Sequence, residues 1–148
     1  VSSAASDVYK RQADTYPQNA VRGPIVMVTN QWAGSDGDIV AAATQAMGYA
    51  KVIGERSWGG VVGIDGRFDL VDGTSVTQPR YAGWYGSYGW GVENHGVDPD
   101  IVVTVSPEDW EADRDVQLDA AIAECLRQLD DKPAATAPEL PGPAFGRR

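Results

Sequence analysis

Ser35 follows an apolar run, Ile25-Val26-Met27-Val28-Thr29-Asn30, through Ala33-Gly34, and precedes a helix-forming stretch that begins near Asp36. A serine on such a strand-to-helix turn has its hydroxyl lifted out of the sheet. The amide of the next residue, Asp36, then lies at the positive end of the new helix. Together they offer a nucleophile and a place to hold an oxyanion. Ser35 is equally a good helix N-cap, with Asp38 as the acid of a short capping box, and on local pattern alone capping is the commoner use. The G-x-S-x-G elbow is not met, because Ala33 occupies its first glycine position.

Two other groups of residues invite chemistry. His95 is the only histidine, and with Ser35 before it and Asp65, Asp69 and Asp72 between, the order Ser, Asp, His imitates an α/β-hydrolase triad. An esterase using Ser35 and His95 is therefore one alternative, set against His95 as a plain turn residue in Val92-Glu93-Asn94-His95-Gly96. Trp58-Gly59-Gly60 and the segment Trp84-Tyr85-Gly86-Ser87-Tyr88-Gly89-Trp90 interleave aromatics with glycine and could form a glycan-binding platform without catalysis. The ordinary alternative is that these rings pack the core or an interface. A binding module has no use for Ser35 and Glu93, whereas a hydrolase needs them to face one cleft.

The elements that must position these residues read as α/β. Residues 25 to 30 and 51 to 54 are predicted strands, and 36 to 49 a small-residue helix closed by Gly48. Short buried strands around a helix suggest a parallel unit. From 60 to 77 the pattern predicts hairpins with Asp-Gly turns at 65-66 and 72-73. A last strand is expected at 101 to 105. A helix over about 107 to 130 is expected to follow, with Ser106 as cap, Pro107 in its first turn and an apolar stripe from Val116 onward. Residues 131 to 148, rich in Pro and Ala, read as an extended or disordered tail.

Composition narrows the function classes. The 148 residues suit one domain, and the net charge of −9 argues against nucleic acid as a partner. No run approaches a membrane span, no signal peptide is visible, and the compartment stays open between cytoplasm and periplasm. The single Cys125 cannot form an internal disulfide and reads as a packed thiol. No clustered set of metal ligands is present, and neither a metal nor an organic cofactor is expected.

Four blocks carry a more specific likeness. Arg22-Gly23-Pro24-Ile25, Asn30-Gln31-Trp32-Ala33-Gly34-Ser35-Asp36-Gly37-Asp38, Gly54-Glu55-Arg56-Ser57-Trp58-Gly59-Gly60-Val61-Val62-Gly63-Ile64 and Val92-Glu93-Asn94-His95-Gly96-Val97-Asp98-Pro99-Asp100 occur in this order. Over about residues 22 to 130 the chain resembles the C-terminal catalytic region of tricorn proteases. The resemblance implies a crotonase-like fold and a serine endopeptidase that cleaves oligopeptides through an acyl-enzyme. It implies Ser35 as nucleophile, the Asp36 amide as oxyanion donor, and Glu93 as the carboxylate that orients a histidine through an intervening serine. That Ser-His pair and a second oxyanion glycine belong to an upstream segment in the family, and neither has a match here. The chain as given is thus expected to be inactive by itself, since loss of a triad member removes most activity. Gly34, Gly59 and Gly60 are candidate substrate-binding positions, because glycine permits close backbone approach. The resemblance further implies a homo-hexamer in the full-length protein, with a peptide as the bound partner.

Residues 1 to 12 stand apart. Ser2 to Gln12 resemble the translated product of a sequencing adapter, against the alternative of a genuine polar N-terminus. Under the adapter reading the catalytic region occupies residues 13 to 130, and the chain starts in mid-domain.

Overall fold

The computed structural model describes residues 16, 17 and 19–136. The proposed adapter and most of the proposed tail therefore lie outside the described residues. The elements are β1 (Val26–Thr29), α1 (Asp36–Met47), β2 (Lys51–Gly54), β3 (Gly63–Asp69), β4 (Ser75–Tyr81), β5 (Ile101–Val102), α2 (Pro107–Glu111) and α3 (Val116–Asp131).

β1, β2 and β5 form a parallel sheet in the order β1-β2-β5, with Val26 opposite Lys51 and Thr29 opposite Gly54. Parallel pairing requires a crossover, which α1 supplies between β1 and β2. Val52 and Ile53 of the central strand are completely buried. Val52 packs with Ala41 and Ala42 of α1 and with Val61, Val92 and Val97 from the segments beyond the sheet. The alanines on α1 let the helix lie close to the strands, and Gly48 ends it in the left-handed conformation with φ 64°. α3 packs against β1 and β2.

Three expectations about elements are corrected. Asp65-Gly66 is no turn: it lies inside β3 at an irregularity of the antiparallel β3-β4 register, where Asp65 faces Gln78 and pairs with Arg80 at 2.9 Å. Only Asp72-Gly73 turns the chain, with Asp72 Oδ1 accepting the Thr74 amide and Gly73 at φ 82°. The last strand spans two residues rather than five. The single C-terminal helix is two: Asp113 adopts φ 53°, which stops α2, and the Asp115 carboxylate accepts the Leu118 amide to start α3. Ser106 does cap α2, in a capping box with Asp109.

The apolar stripe foreseen on that helix is only partly used. Gln117 and Ala121 are the buried positions of α3, while Leu118, Ile122 and Leu126 remain about half exposed. Buried Gln117 donates its side-chain amide to the Val103 carbonyl at 2.9 Å, so a polar residue outside the apolar stripe takes one of the buried positions.

Candidate active site

The turn after β1 is built by Asn30. Its carbonyl accepts the Ala33 amide at 2.9 Å, and its Oδ1 accepts the Trp32 amide at 3.0 Å. The chain then enters α1 through Ser35, which has φ 53° and ψ −112° and makes no side-chain capping bond. Positive φ costs a residue with a Cβ about 1–3 kcal/mol and persists only where the surroundings over-determine it. Here the Ser35 amide donates to the Gly60 carbonyl at 3.1 Å, and the Ser35 carbonyl accepts the Ile39 amide at 3.0 Å. The hydroxyl is left exposed, with no capping bond of its own. Below it, the Asp36 amide opens the helix and meets no acceptor among the described residues. The capping-box reading of Ser35 and Asp38 is thereby overturned.

Asp38 does something else. It is completely buried, and it accepts the Gly59 amide on Oδ1 at 2.9 Å and the Gly60 amide on Oδ2 at 3.1 Å. A carboxylate out of water needs such donors, and its place in the first turn of α1 adds the positive end of the helix.

The next two amides go to Glu93. Its Oε2 accepts from Val61 at 2.8 Å and from Val62 at 2.6 Å, while no partner to Oε1 occurs among the described residues. Glu93 sits in a turn over 92–96 in which the His95 and Gly96 amides both donate to the Val92 carbonyl. Buried Ser57 ties that turn to the strap of backbone over residues 57–62, donating its amide to the Val97 carbonyl and accepting the Val97 amide on Oγ at 2.8 Å. The backbones approach so closely that a Cβ on Gly59 would strike the amides of His95 and Gly96, and one on Gly96 would strike the Ser57 carbonyl.

Ser35, Trp58, Gly59, Gly60, Val62, Ile64, Glu93 and Asn94 line one cavity of about 490 Å³. An adjoining cavity of about 220 Å³ shares Val62, Glu93 and Asn94 with it and adds Ala82, Gly83 and Trp90. The structure thus brings Ser35, Glu93, Gly59 and Gly60 together. Gly34 does not line the cavity; it lies against the Trp58 ring, where a Cβ would come within 2.5 Å. Nor does His95, which is exposed and bonds Asp98 through Nε2 at 2.8 Å. Its partner is none of the aspartates that the triad-like order offered. Gly59 and Gly60 have both amides on Asp38, and their carbonyls accept from Asn94 and Ser35, so their backbone polar groups are already satisfied within the protein.

Sequence reasoning gave Val62 and Asn94 no part in the site, took Trp58 only for a glycan platform or a packing ring, and took Asp38, which supports the site from behind the cavity lining, for a capping acid. The repeated acid in Asp36-Gly37-Asp38 was the one available signal, and it reads locally as a cap. The aromatic segment is divided: Tyr85 and Tyr88 pack on the core, while Trp84 and Trp90 stay exposed. Among the described residues no helix is long and apolar enough to cross a membrane.

Comparison with known proteins places the chain in a family. The chain is 60% identical over 127 residues to tricorn protease homolog 1 of Streptomyces coelicolor, covering 86% of this chain and 12% of that protein. It is 48% identical over 114 residues to the tricorn protease of Thermoplasma acidophilum, covering 77% of this chain and 11% of the relative. A crystal structure of the tricorn protease superposes with a TM-score of 0.74 at 48% identity, over 78% of this chain and 11% of that one. The chain therefore spans about an eighth or less of the length of these relatives. The model of peptidase family S41 matches residues 1–103, more than half of the sequence, and the chain belongs to that family.

Proposed function

We propose that this chain is part of the catalytic domain of a tricorn-type serine endopeptidase that cleaves oligopeptides through an acyl-enzyme on Ser35. The observation that carries the reading is a single one. An exposed serine hydroxyl stands on a strained strand-to-helix turn above a helix-start amide, in the same cavity as the Glu93 carboxylate, and neither that amide nor Glu93 Oε1 has a partner among the described residues.

In the proposed reaction Ser35 Oγ attacks the scissile carbonyl carbon while a histidine takes the hydroxyl proton. The carbonyl oxygen becomes an oxyanion held by the Asp36 amide. Collapse of the tetrahedral intermediate breaks the C–N bond, and the leaving amine takes the proton from the imidazole. Water then attacks the ester by the reverse sequence, releasing the acid and restoring Ser35. The histidine is not His95, which is held by Asp98 outside the cavity lining. We place the base, its serine partner and a second oxyanion donor on a segment beyond this sequence, with Glu93 Oε1 orienting the pair. The chain alone is then catalytically incompetent, its fold is the core of a crotonase-like domain, and the working enzyme is a homo-hexamer. The reaction as written uses no metal or organic cofactor.

The test is Ser35→Ala in the complete protein. Peptide hydrolysis and labelling by a fluorophosphonate should both disappear, and labelling that persists on another serine would refute the assignment.

A further inference from the structure

We infer that Asp38 is the positioning residue of the nucleophile turn, holding Ser35 in its strained backbone conformation through the Gly59-Gly60 strap. Its catalytic consequence rests on the proposed role of Ser35; its structural part does not.

A serine at φ 53° and ψ −112° requires neighbours that leave it no other choice. α1 supplies one constraint, the Ile39 amide on the Ser35 carbonyl, but an ordinary cap would be held in the same way. The distinguishing bond is the Ser35 amide to the Gly60 carbonyl. A glycine pair has the widest backbone freedom of any dipeptide, so Gly60 cannot by itself be a fixed acceptor. Asp38 fixes it, taking one amide of the pair on each carboxylate oxygen from a completely buried position.

Asp38 stands three residues after Ser35 on the same helix, so the contacts close a ring: Ser35, the first turn of α1, the Asp38 carboxylate, Gly60, and Ser35 again. The Trp58 amide on the Ala33 carbonyl at 2.9 Å ties the same strap to the same turn a second time. Asp38 is absent from the cavity lining and acts only through this ring. An asparagine there offers one acceptor and turns an N–H donor toward the other amide, which leaves half the strap without a partner.

Hydrogen exchange on the full chain tests the ring. In the unmodified protein the amides of Ser35, Gly59 and Gly60 should open together with a common protection factor; independent exchange overturns the inference without any variant. In Asp38→Asn those three amides should exchange at least about tenfold faster. The Val61 and Val62 amides, which Glu93 holds, should keep their protection. Unchanged exchange at Ser35 would overturn the inference, and if the variant does not fold, the unmodified protein still decides. In the complete peptidase, Asp38→Asn should lower kcat about a hundredfold and leave KM within about threefold, with Asp38→Ala lower still. An equal loss in kcat and fluorophosphonate labelling is expected, and an unaltered kcat counts against the proposal. Should Ser35→Ala retain hydrolysis, the nucleophile assignment falls, while the exchange result still stands or falls by itself.

Discussion

Asp38 and Glu93 divide four consecutive amides between them, Asp38 taking Gly59 and Gly60 and Glu93 taking Val61 and Val62. One carboxylate comes from the helix that begins at Ser35 and the other from the turn over 92–96. A single strap of backbone thereby links the candidate nucleophile to the candidate relay acid, two residues 58 positions apart in the chain. Charge-assisted bonds from backbone amides hold both carboxylates, Asp38 fully buried and Glu93 half-buried at the cavity wall.

Glu93 has a structural and a chemical face, and Glu93→Gln separates them. The amide oxygen can replace Oε2 toward Val61 and Val62, so the fold should persist. The NH2 then replaces Oε1 and turns an acceptor into a donor. In the complete enzyme, kcat should fall by about 10²- to 10⁴-fold with an unchanged circular dichroism spectrum, as for the loss of an orienting carboxylate in a triad. A rate within threefold of the parent would remove Glu93 from the relay.

His95→Ala tests the hydrolase-like alternative. The substitution breaks an exposed contact with Asp98 that lies outside the cavity lining. Thermal stability should change by no more than about 0.5 kcal/mol, and hydrolysis by the complete protein should be retained. Loss of activity equal to that of Ser35→Ala would restore His95 as the base.

Gly96→Ala probes the close packing of the strap on the 92–96 turn. Gly96 has φ 86°, and its new Cβ would meet the Ser57 carbonyl. Strain and overpacking together should cost about 2–4 kcal/mol, read from the shift in urea midpoint. Gly73→Ala is the matched control, because Gly73 has a similar φ of 82° but open space around it. It should cost about 1–2 kcal/mol, from strain alone.

Acid should weaken α3 through Glu124. Two bonds from Arg127, aided by one from Gln128, hold the Glu124 carboxyl down at about 2 from its ordinary 4.5. A carboxylate with a depressed folded-state pKa contributes stability that is complete above its unfolded value and vanishes as pH falls through the folded one. Between about pH 5 and pH 2 the melting temperature should therefore fall more steeply for the parent than for Glu124→Gln. Parallel curves would show that the exposed Arg127 pair contributes nothing.

What the sequence determined by itself is the set of local elements and the family. β2 over 51–54, the small-residue helix ended by Gly48, the Ser106 cap and the Asp72-Gly73 turn were all readable, since each depends on residues within a few positions of one another. The motif blocks around Ser35 and Glu93 pointed to a serine peptidase family. The tertiary structure decided what no local pattern encodes. Asp38 reads as a capping acid until the strap is folded over it, for its partners lie more than twenty positions away. Ser35 reads as a cap until the Gly60 carbonyl takes its amide, and Asp65-Gly66 reads as a turn until β4 pairs across it. In each case a distant partner is a backbone group, the Gly59 and Gly60 amides for Asp38, the Gly60 carbonyl for Ser35 and β4 for Asp65-Gly66, and backbone donors and acceptors, which every residue shares, leave no mark in residue type.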